Sequence, residues 1–525
     1  MREIIGLRSK CLSTFRFLCL LLLCAAAAQG QSLNRQRRGE SLATPEEKTA
    51  RYFEALRKSP PEQFAFLLRM PKGGDLHNHL SGAVYAESYI QWAAAGGLCL
   101  NTTTLALSPP PCDAGAGGAV FASTALANSI LYRQLIDAWS MRYWEFSGQN
   151  GHDHFFDTFG KFGAATYGQT GRMLAETAAR AARGHVIYLE LMLTPDGGKS
   201  SQIGQQTGWD GSFQHTLDKL KAGGISEAAS IGEKTLREAE AEKNSLLRCG
   251  TAQADPGCAV TIRYIFQVSR GAAPAQVYAQ MLTGMMMADA MDAKVAGINL
   301  VQPEDELASM QNFSLQMQML NFLRPLYPRA HITLHAGELA PGVVPPDGLS
   351  FHIRDSVEIG HAERIGHGVD LMHEIDPYGL LRKLKEQHVL IEICLTSNDV
   401  ILGVRGPEHP LHTYLDYGVP VALATDDEGV SRSEISREYL RAAEEQHLSY
   451  IELKMMARNS LEYSFIAGAS LWADARKFVP GAQCSRDVPG QAAPAKGCAQ
   501  FLSGSEKARL QWELEREFRE FESHY

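Results

Sequence analysis

Eight short runs of β-branched and aliphatic residues recur along the chain, and longer helical or irregular segments separate them. In chain order the runs are GGDLHNH, HVIYLELMLTP, VTIRYIFQVS, VAGINLVQ, HITLHAGE, RIGHGVDL, VLIEICLTSND and VPVALATDDEG. Near-continuous apolar strands that alternate with helices are typical of a parallel sheet covered on both faces. Eight such strands predict an α/β fold, a (β/α)8 TIM barrel.

The chain has 525 residues, and the widest separations follow the first and second runs. We interpret these separations as insertions on one barrel. The predicted units are a signal peptide (1–30), a helical N-terminal extension (31–70), the barrel (71–475) with disulfide-bearing insertions at about 95–150 and 196–258, and a C-terminal loop and helix (476–525). The charges of this last helix are predicted to form a solvated face.

The first thirty residues have the composition of a targeting segment. Basic residues precede a short apolar run, FLCLLLLCAAAA, and small residues follow it. This order is typical of a secretory signal peptide, and the run is short for a transmembrane span. We therefore predict a secreted or periplasmic protein without stable membrane insertion after cleavage. An uncleaved membrane anchor is the alternative.

The cysteines agree with export. Outside the predicted signal, six of them form three sequence-local couples, each around a loop rich in Gly, Pro or Ala: Cys99–Cys112, Cys249–Cys258 and Cys484–Cys498. We predict three disulfides in an oxidising compartment. No couple has C-x-x-C spacing, which argues against a cysteine zinc site. Cys394 lies in the apolar run VLIEICL and is predicted to be a buried core thiol.

The charge balance restricts the partners. The formal net charge is −9, and the body of the chain contains no long basic run. Nucleic-acid binding depends on clustered Lys and Arg, so the sequence argues against it. A small neutral or cationic molecule is the partner that this charge favours.

Two histidines one residue apart, His77 and His79, end the first run. Side chains at i and i+2 of a strand point to the same face, so both imidazoles can reach one point. His152 and His154 have the same spacing, but their segment, HDHFFDTFGKF, is aromatic-rich and predicted to be helical. We interpret this second pair as structural.

Ionisable residues collect at the predicted carboxyl ends of the strands, where barrels of this kind place their catalytic groups. They are His77 and His79 at the first end, His335 and Glu338 at the fifth, His367 at the sixth, and Asp426 and Asp427 at the eighth. Three imidazoles and one carboxylate suit a single divalent ion, with zinc the first choice and one position left for water.

The residues at these ends divide into ligands and acid–base groups. The predicted ligands of one zinc ion per chain are His77, His79, His335 and Asp426. Glu338 is the predicted proton donor, because it lies three residues beyond a ligand. His367 is predicted to orient the water and to stabilise the charge that develops on it.

Five motifs, LHNHLSGA, LHAGE, RIGHGVD, TSND and ATDDEGV, resemble those of the adenosine deaminase family in the amidohydrolase superfamily. The signal segment, the helical extension and the disulfide-bearing insertion are most similar to the secreted adenosine deaminase-related growth factor branch. The resemblance implies zinc-dependent hydrolysis of adenosine, with 2'-deoxyadenosine a further substrate, to inosine and ammonia. It also suggests a homodimer.

The same resemblance implies roles for the site residues. Glu338 protonates the purine N1, hydroxide attacks C6 with help from His367, and Asp427 holds N7. Two positions depart from the family pattern: Ser81 replaces an Asp that contacts the ribose, and Gln302 replaces a Gly whose backbone faces N3. Phe159 and Phe162 are candidates for an apolar wall over the purine, with core packing as the alternative.

Other functions fit parts of the same pattern. One is the deamination of another 6-aminopurine or a modified nucleoside. A second is a metal-dependent amidohydrolase that acts on an ester, lactam or ring amide. The fourth run, ending INLVQ, lacks the lysine that bridges the two ions of two-metal members. A third is an extracellular nucleoside-binding or growth-factor-like protein whose barrel has lost its catalytic activity. The complete set of ligand and acid–base residues argues against such a loss.

Overall fold

A computed structural model describes residues 43–112, 118–291 and 293–525. The predicted signal peptide, residues 1–30, and the beginning of the predicted extension, residues 31–42, lie outside the described residues. In the part of the chain that is described, no helix is both long and apolar enough to cross a bilayer.

Eight parallel strands form a nearly closed barrel, which confirms the predicted fold class. They follow one another around the barrel in chain order: β1 Gly73–His79, β2 Val186–Leu193, β3 Thr261–Ser269, β4 Val295–Val301, β5 His331–Ala336, β6 Arg364–His367, β7 Leu390–Ile393 and β8 Val421–Leu423. Every residue of β1, β4, β6, β7 and β8 is buried. Their apolar composition follows from this burial on both faces.

The last step of barrel closure joins β1 to the residues just after β8. The backbone N–H of His79 donates to the carbonyl of Asp426 at 3.0 Å, and the N–H of Asp426 donates to the carbonyl of His77 at 2.9 Å. Asp75 adds a side-chain contact, since its Oδ2 accepts the Thr425 hydroxyl at 2.5 Å. Residues of the candidate site therefore complete the barrel.

Helices cover the barrel and form its extensions. Up to β2 they are Pro45–Leu56, Pro60–Arg69, Leu80–Ala83, Ala86–Ala95, Thr124–Ala127, Ser129–Ala138, Gly151–Phe162 and Thr170–Arg183. After β2 they are Lys199–Thr207, Phe213–Ala222, Ile225–Leu246, Pro274–Ala288, Leu307–Leu323, His352–Glu358, Pro377–Glu386, Leu395–Leu402, Leu411–Tyr417, Ile435–Glu444, Tyr450–Glu462, Lys496–Gly504 and Glu506–Glu522.

Close helix–sheet packing requires a small residue at Gly284, in helix Pro274–Ala288. A Cβ at this position would lie 2.6 Å from Ile298 Cγ2 and 3.0 Å from the Phe266 side chain. Contacts this short do not occur between carbon atoms in packed interiors, so any side chain would push the helix away from β3 and β4.

The three predicted disulfides are present, as Cys99–Cys112, Cys249–Cys258 and Cys484–Cys498. The first closes the segment between β1 and β2, which also contains a three-stranded antiparallel sheet of Cys99–Asn101, Leu107–Ser108 and Ala119–Phe121. Cys394 is buried and lies outside these pairs, as predicted.

The helices at the two ends of the described chain pack on each other. Phe66 and Phe521 have ring centroids 4.9 Å apart, and Lys454 bridges Glu46 and Glu522 at 2.6 and 2.5 Å. Glu515 is buried and pairs with Arg458. The prediction that the charges of the last helix form a solvated face is therefore wrong for two of its acids, because basic residues of helix Tyr450–Glu462 pair with them.

Lys72 joins the N-terminal helices to the barrel. Its fully buried Nζ donates to the carbonyls of Leu67, Met70 and Gly184 at 2.6, 2.8 and 2.9 Å. Burial lowers the pKa of Lys72 to about 7. The side chain stays in the interior because these three acceptors replace the water that it loses.

We expect Lys72→Met to lower the free energy of unfolding by about 2–5 kcal/mol, since three buried carbonyl oxygens lose their donor. Urea denaturation measures the change. Lys58→Met, at an exposed position on the same extension, is the control and leaves the midpoint unchanged. Equal midpoints for the two variants would show that Lys72 does not hold the extension in place.

Candidate metal centre and active site

The predicted site residues meet at one end of the barrel. His77 and His79 are in β1, His335 is in β5, and His367 ends β6. Asp426 and Asp427 follow β8, Glu338 follows β5, and all seven side chains are buried. The structure therefore brings together the residues that the sequence places at separate strand ends.

Four donor atoms converge on one point. The Nε2 atom of His335 lies 3.1 Å from Nε2 of His77 and 3.2 Å from Nε2 of His79. The Oδ1 atom of Asp426 lies 3.5 Å and 3.3 Å from the same two nitrogens. A tetrahedral zinc site with bonds of about 2.0–2.1 Å has donors about 3.3–3.4 Å apart. The cluster thus has the dimensions of a coordination shell.

Buried partners fix the orientation of the ligands. His77 Nδ1 donates to Glu392 Oε2 at 2.7 Å, and His335 Nδ1 donates to Asn299 Oδ1 at 2.9 Å. Each donation places the proton on Nδ1, so the lone pair of Nε2 faces the centre. Asp426 accepts the Ser397 hydroxyl at Oδ2, 2.5 Å away, which leaves Oδ1 for the centre.

His367 also approaches the cluster. One of its ring nitrogens lies within 4.8 Å of donor atoms of His77, His335 and Asp426. The Nε2 atom of His79 lies 3.2 Å from Nε2 of His335 and 3.3 Å from Oδ1 of Asp426. His79 therefore stays the predicted fourth ligand.

The electrostatics of the cluster favour a cation at its centre. Burial opposes a charge on His77, but Asp426 and Glu392 outweigh burial and raise the pKa of His77 to about 10. Burial lowers the pKa of His79, and burial with the nearby histidines holds the pKa of His335 well below its usual range. A metal ion supplies the positive charge that the carboxylates require while the imidazoles stay neutral.

Glu338 is a buried carboxyl beside this cluster. Burial, together with the charges of Asp426 and Glu304, raises the pKa of Glu338 well above its usual range. Its Oε1 lies 3.6 Å from Nε2 of His367, whose pKa burial lowers to about 4. The two shifts therefore favour a protonated carboxyl at Glu338 and a neutral imidazole at His367.

Glu304 positions the loop that carries Glu338. Its carboxylate accepts the backbone N–H groups of Gly337 and Glu338 at 3.2 and 2.8 Å, and His352 Nδ1 donates to it at 2.5 Å. Glu304 was not among the predicted site residues. The sequence feature that could have identified it is an acid, in QPED, just beyond the fourth apolar run.

Glu392 and the TSND segment were also missed as supports of the ligands. Glu392 is a charged residue inside an apolar run, and such a residue needs a buried partner. The run VLIEICLTSND was predicted to be one strand, but β7 ends at Ile393 and a helix begins at Leu395. This turn places Ser397 and Asn398 against Asp426 and His367.

A cavity of about 260 Å³ opens beside the cluster. Its lining combines site residues with aromatic and amide side chains: His79, Ser81, Phe155, Phe156, Phe159, Gln267, Val301, Gln302, Pro303, His335, Glu338, Asp426 and Asp427. For Phe162 the alternative of core packing holds, because this ring is buried and stacks on Tyr89 at 4.8 Å. Phe159 lies on the cavity side of the same helix.

Asp427 and Gln302 both line the cavity. Burial acts on the side chain of Asp427, whereas the backbone is constrained at Gln302. Burial and the charge of Asp426 raise the pKa of Asp427 well above its usual range. Gln302 has a positive φ of 96°, and its side-chain oxygen accepts the N–H of Gly271 at 2.9 Å. The backbone at Gln302 is therefore held in a conformation that residues other than glycine rarely adopt. Strained residues of this kind cluster at functional sites.

His152 and His154 lie outside the cluster, on helix Gly151–Phe162. His154 is buried beside the carbonyls of Asp137 and Ser140, at 3.2 and 3.1 Å. His152 pairs with Asp305 at 3.0 Å. Both have protein partners, as the structural interpretation of this pair requires.

The fold and the cluster define a (β/α)8 barrel with a centre for one metal ion and an adjacent acid. A family model described as adenosine deaminase matches residues 145–470. The chain belongs to the adenosine deaminase family. β1, with its two histidines, precedes the matched region.

Two known proteins illustrate the similarity. The adenosine deaminase of Escherichia coli (strain SE11) is 41% identical over 138 residues, which are 26% of this chain and 38% of that protein. The matched stretch therefore spans well under two thirds of such curated relatives. The structure of an Arabidopsis N6-mAMP deaminase aligns with a TM-score of 0.50 at 20% identity, covering 77% of this chain and 96% of that one. This likeness supports the fold.

We expect Ser397→Ala to weaken metal binding about 10- to 100-fold, because Asp426 loses the hydrogen bond that orients it. Competition with a chromophoric chelator measures the affinity. Ser436→Ala is the matched control, since Ser436 is buried on helix Ile435–Glu444 and its hydroxyl has no hydrogen-bond partner among the described residues. Unchanged affinity in Ser397→Ala would contradict the assignment of Asp426 as a ligand.

Proposed function

We propose that this protein is a zinc-dependent adenosine deaminase that hydrolyses adenosine and 2'-deoxyadenosine to inosine and ammonia outside the cytoplasm. One observation carries the proposal: His79, His335 and Asp426 of the metal cluster line one cavity with the buried carboxyls of Glu338 and Asp427, whose pKa values are both raised well above their usual range. Membership of the adenosine deaminase family supports the reaction type.

One zinc ion per chain fits the donor set. His77, His79, His335 and Asp426 would hold it, because imidazole nitrogens and carboxylate oxygens are usual protein ligands of zinc. The bound ion supplies Lewis acidity that lowers the pKa of water towards neutrality.

Glu338 is the proposed proton donor in the reaction. Its raised pKa favours the protonated carboxyl, whose proton can pass to N1 of a 6-aminopurine. Protonation of the ring withdraws electron density from C6, which prepares this carbon for attack. The neutral His367, 3.6 Å from Glu338, then donates from Nε2 to the oxygen on which negative charge develops.

Asp427 and the aromatic wall would hold the purine. A protonated Asp427 carboxyl can donate to N7, which is an acceptor in every 6-aminopurine. Phe156 and Phe159 line the same cavity and offer flat apolar surfaces to the ring. We propose that Gln302 contacts the base through its backbone, because its side chain is bound to Gly271.

Ser81 lines the cavity, and we propose that it faces the ribose of a nucleoside, where its short hydroxyl differs from the carboxylate that the family pattern expects. This difference favours a second candidate, the deamination of another 6-aminopurine or a modified nucleoside. The relative rates for adenosine, 2'-deoxyadenosine and adenine distinguish the two candidates, because only the nucleosides present a sugar to Ser81.

The proposed location is extracellular or periplasmic, in the secreted growth-factor branch of the family. Three disulfides support it, since such bonds persist in oxidising compartments. The proposal includes cleavage of a signal peptide at residues 1–30, an extension at 31–70 and a homodimer.

We expect Glu338→Gln to retain zinc and to lower kcat for adenosine at least about 100-fold, because an amide has no acidic proton to transfer. Metal analysis and initial rates are measured on the same samples. Asp426→Ala is the comparison and loses both zinc and turnover. A Glu338→Gln enzyme nearly as active as the parent would refute the proton-donor role.

A substitution at Gly82 tests the role of Asp427 and leaves the Asp427 carboxyl in the chain. A Cβ at Gly82 would lie 1.5 Å from Asp427 Oδ1, so Gly82→Ala must displace the carboxyl. We expect a rise in KM of about five- to tenfold, the loss of one hydrogen bond, with zinc retained. Gly163→Ala, where a Cβ would meet no atom within 4 Å, is the control. An unchanged KM in Gly82→Ala would contradict the purine contact.

A further inference from the structure

A chain of hydrogen bonds runs from the start of helix Leu411–Tyr417, through Asn398 of helix Leu395–Leu402, to the imidazole of His367. We propose that His409 and Asn398 are positioning residues that lock His367 in one tautomer, with its proton on Nε2, the nitrogen that lies 3.6 Å from Glu338 Oε1. All three side chains are buried, with exposed fractions of 3%, 0% and 0%. The inference rests on the proposed function only for its effect on turnover.

The chain starts at a donor that cannot be reversed. The backbone N–H of Leu411 donates to Nδ1 of His409 at 3.2 Å, so this nitrogen must carry a lone pair. Burial, with the nearby His367 and Arg441, lowers the pKa of His409 to about 3, which keeps the ring neutral. Its single proton is therefore on Nε2.

The amide of Asn398 transmits this assignment. His409 Nε2 donates to Asn398 Oδ1 at 3.1 Å, and Asn398 Nδ2 donates to His367 Nδ1 at 3.0 Å. Turning the amide over would place its N–H groups against the N–H of His409. The backbone donor at Leu411 thus fixes the amide, and the amide makes His367 Nδ1 an acceptor.

The proton of His367 must then be on Nε2. This nitrogen is buried, has no hydrogen-bond partner among the described residues, and lies 3.6 Å from Glu338 Oε1. A buried N–H that lacks a protein partner costs free energy unless a ligand accepts from it. The chain of bonds therefore presents a fixed donor to the reacting oxygen and prevents His367 from acting as a base in its resting state.

The protein with bound zinc and without substrate gives the direct test. Two-bond 1H–15N spectra of 15N-histidine-labelled protein report which ring nitrogens are protonated, and loss of signals in His367→Gln assigns them. We expect an unprotonated Nδ1 at His367 in the parent and a protonated Nδ1 in Asn398→Asp, because a carboxylate only accepts. A protonated Nδ1 in the parent would overturn the proposal.

Variants of His409 test the effect on catalysis. We expect His409→Phe to lower kcat about tenfold with KM within about twofold and to show both tautomers at His367, because one orienting hydrogen bond is lost. His409→Gln restores the parent values, since its amide N–H can replace the Nε2 donor. Parent-like kcat and tautomer in a folded His409→Phe would overturn the role of His409.

The outcomes separate this inference from the proposed function. If the parent binds zinc but converts no adenosine, the proposed function fails while the nitrogen spectra still decide the tautomer. If His409→Phe does not fold, the spectra of the parent and of His409→Gln decide it. In both proteins the proposal requires Nδ1 of His367 to be unprotonated.

Discussion

The closure of the barrel between β1 and the end of β8 is the constraint on which the rest of the structure depends. The two backbone hydrogen bonds that join His77 and His79 to Asp426 complete the barrel and place three of the four donors side by side. Asp426 adopts a positive φ of 57° at this junction. The same residues therefore close the barrel and form the candidate metal site. The closing hydrogen bonds stabilise the positive φ of Asp426.

A buried ionic network supports this junction from inside the barrel. Arg364 donates to Glu190 at 2.5 Å and to Glu392 at 2.6 Å, and Glu392 accepts from His77. Buried charges are stable only when they are paired and hydrogen-bonded, so each member of the network constrains the next. The orientation of His77, a predicted metal ligand, therefore depends on the buried ion pairs of Arg364.

The sequence predicts the barrel and the seven ionisable site residues because parallel topology brings the carboxyl ends of all eight strands to one rim. The supporting contacts are less predictable. Asn398 contacts His367, and Glu515 contacts Arg458, although these residues are far apart in sequence. Such contacts depend on how the helices pack. Helical periodicity also could not distinguish Phe159, which lines the cavity, from Phe162, which packs on Tyr89, because residues three apart share a face.

We propose that a metal ion held by β1, β5 and the residue after β8 enables deamination of a nucleoside in the adjacent cavity. Ultraviolet absorbance of adenosine with the purified protein, followed before chelation, after chelation and after zinc is restored, tests this proposal. We expect conversion to inosine that stops on chelation and returns with zinc. Conversion that is insensitive to chelation, or no conversion by zinc-loaded protein, would contradict it.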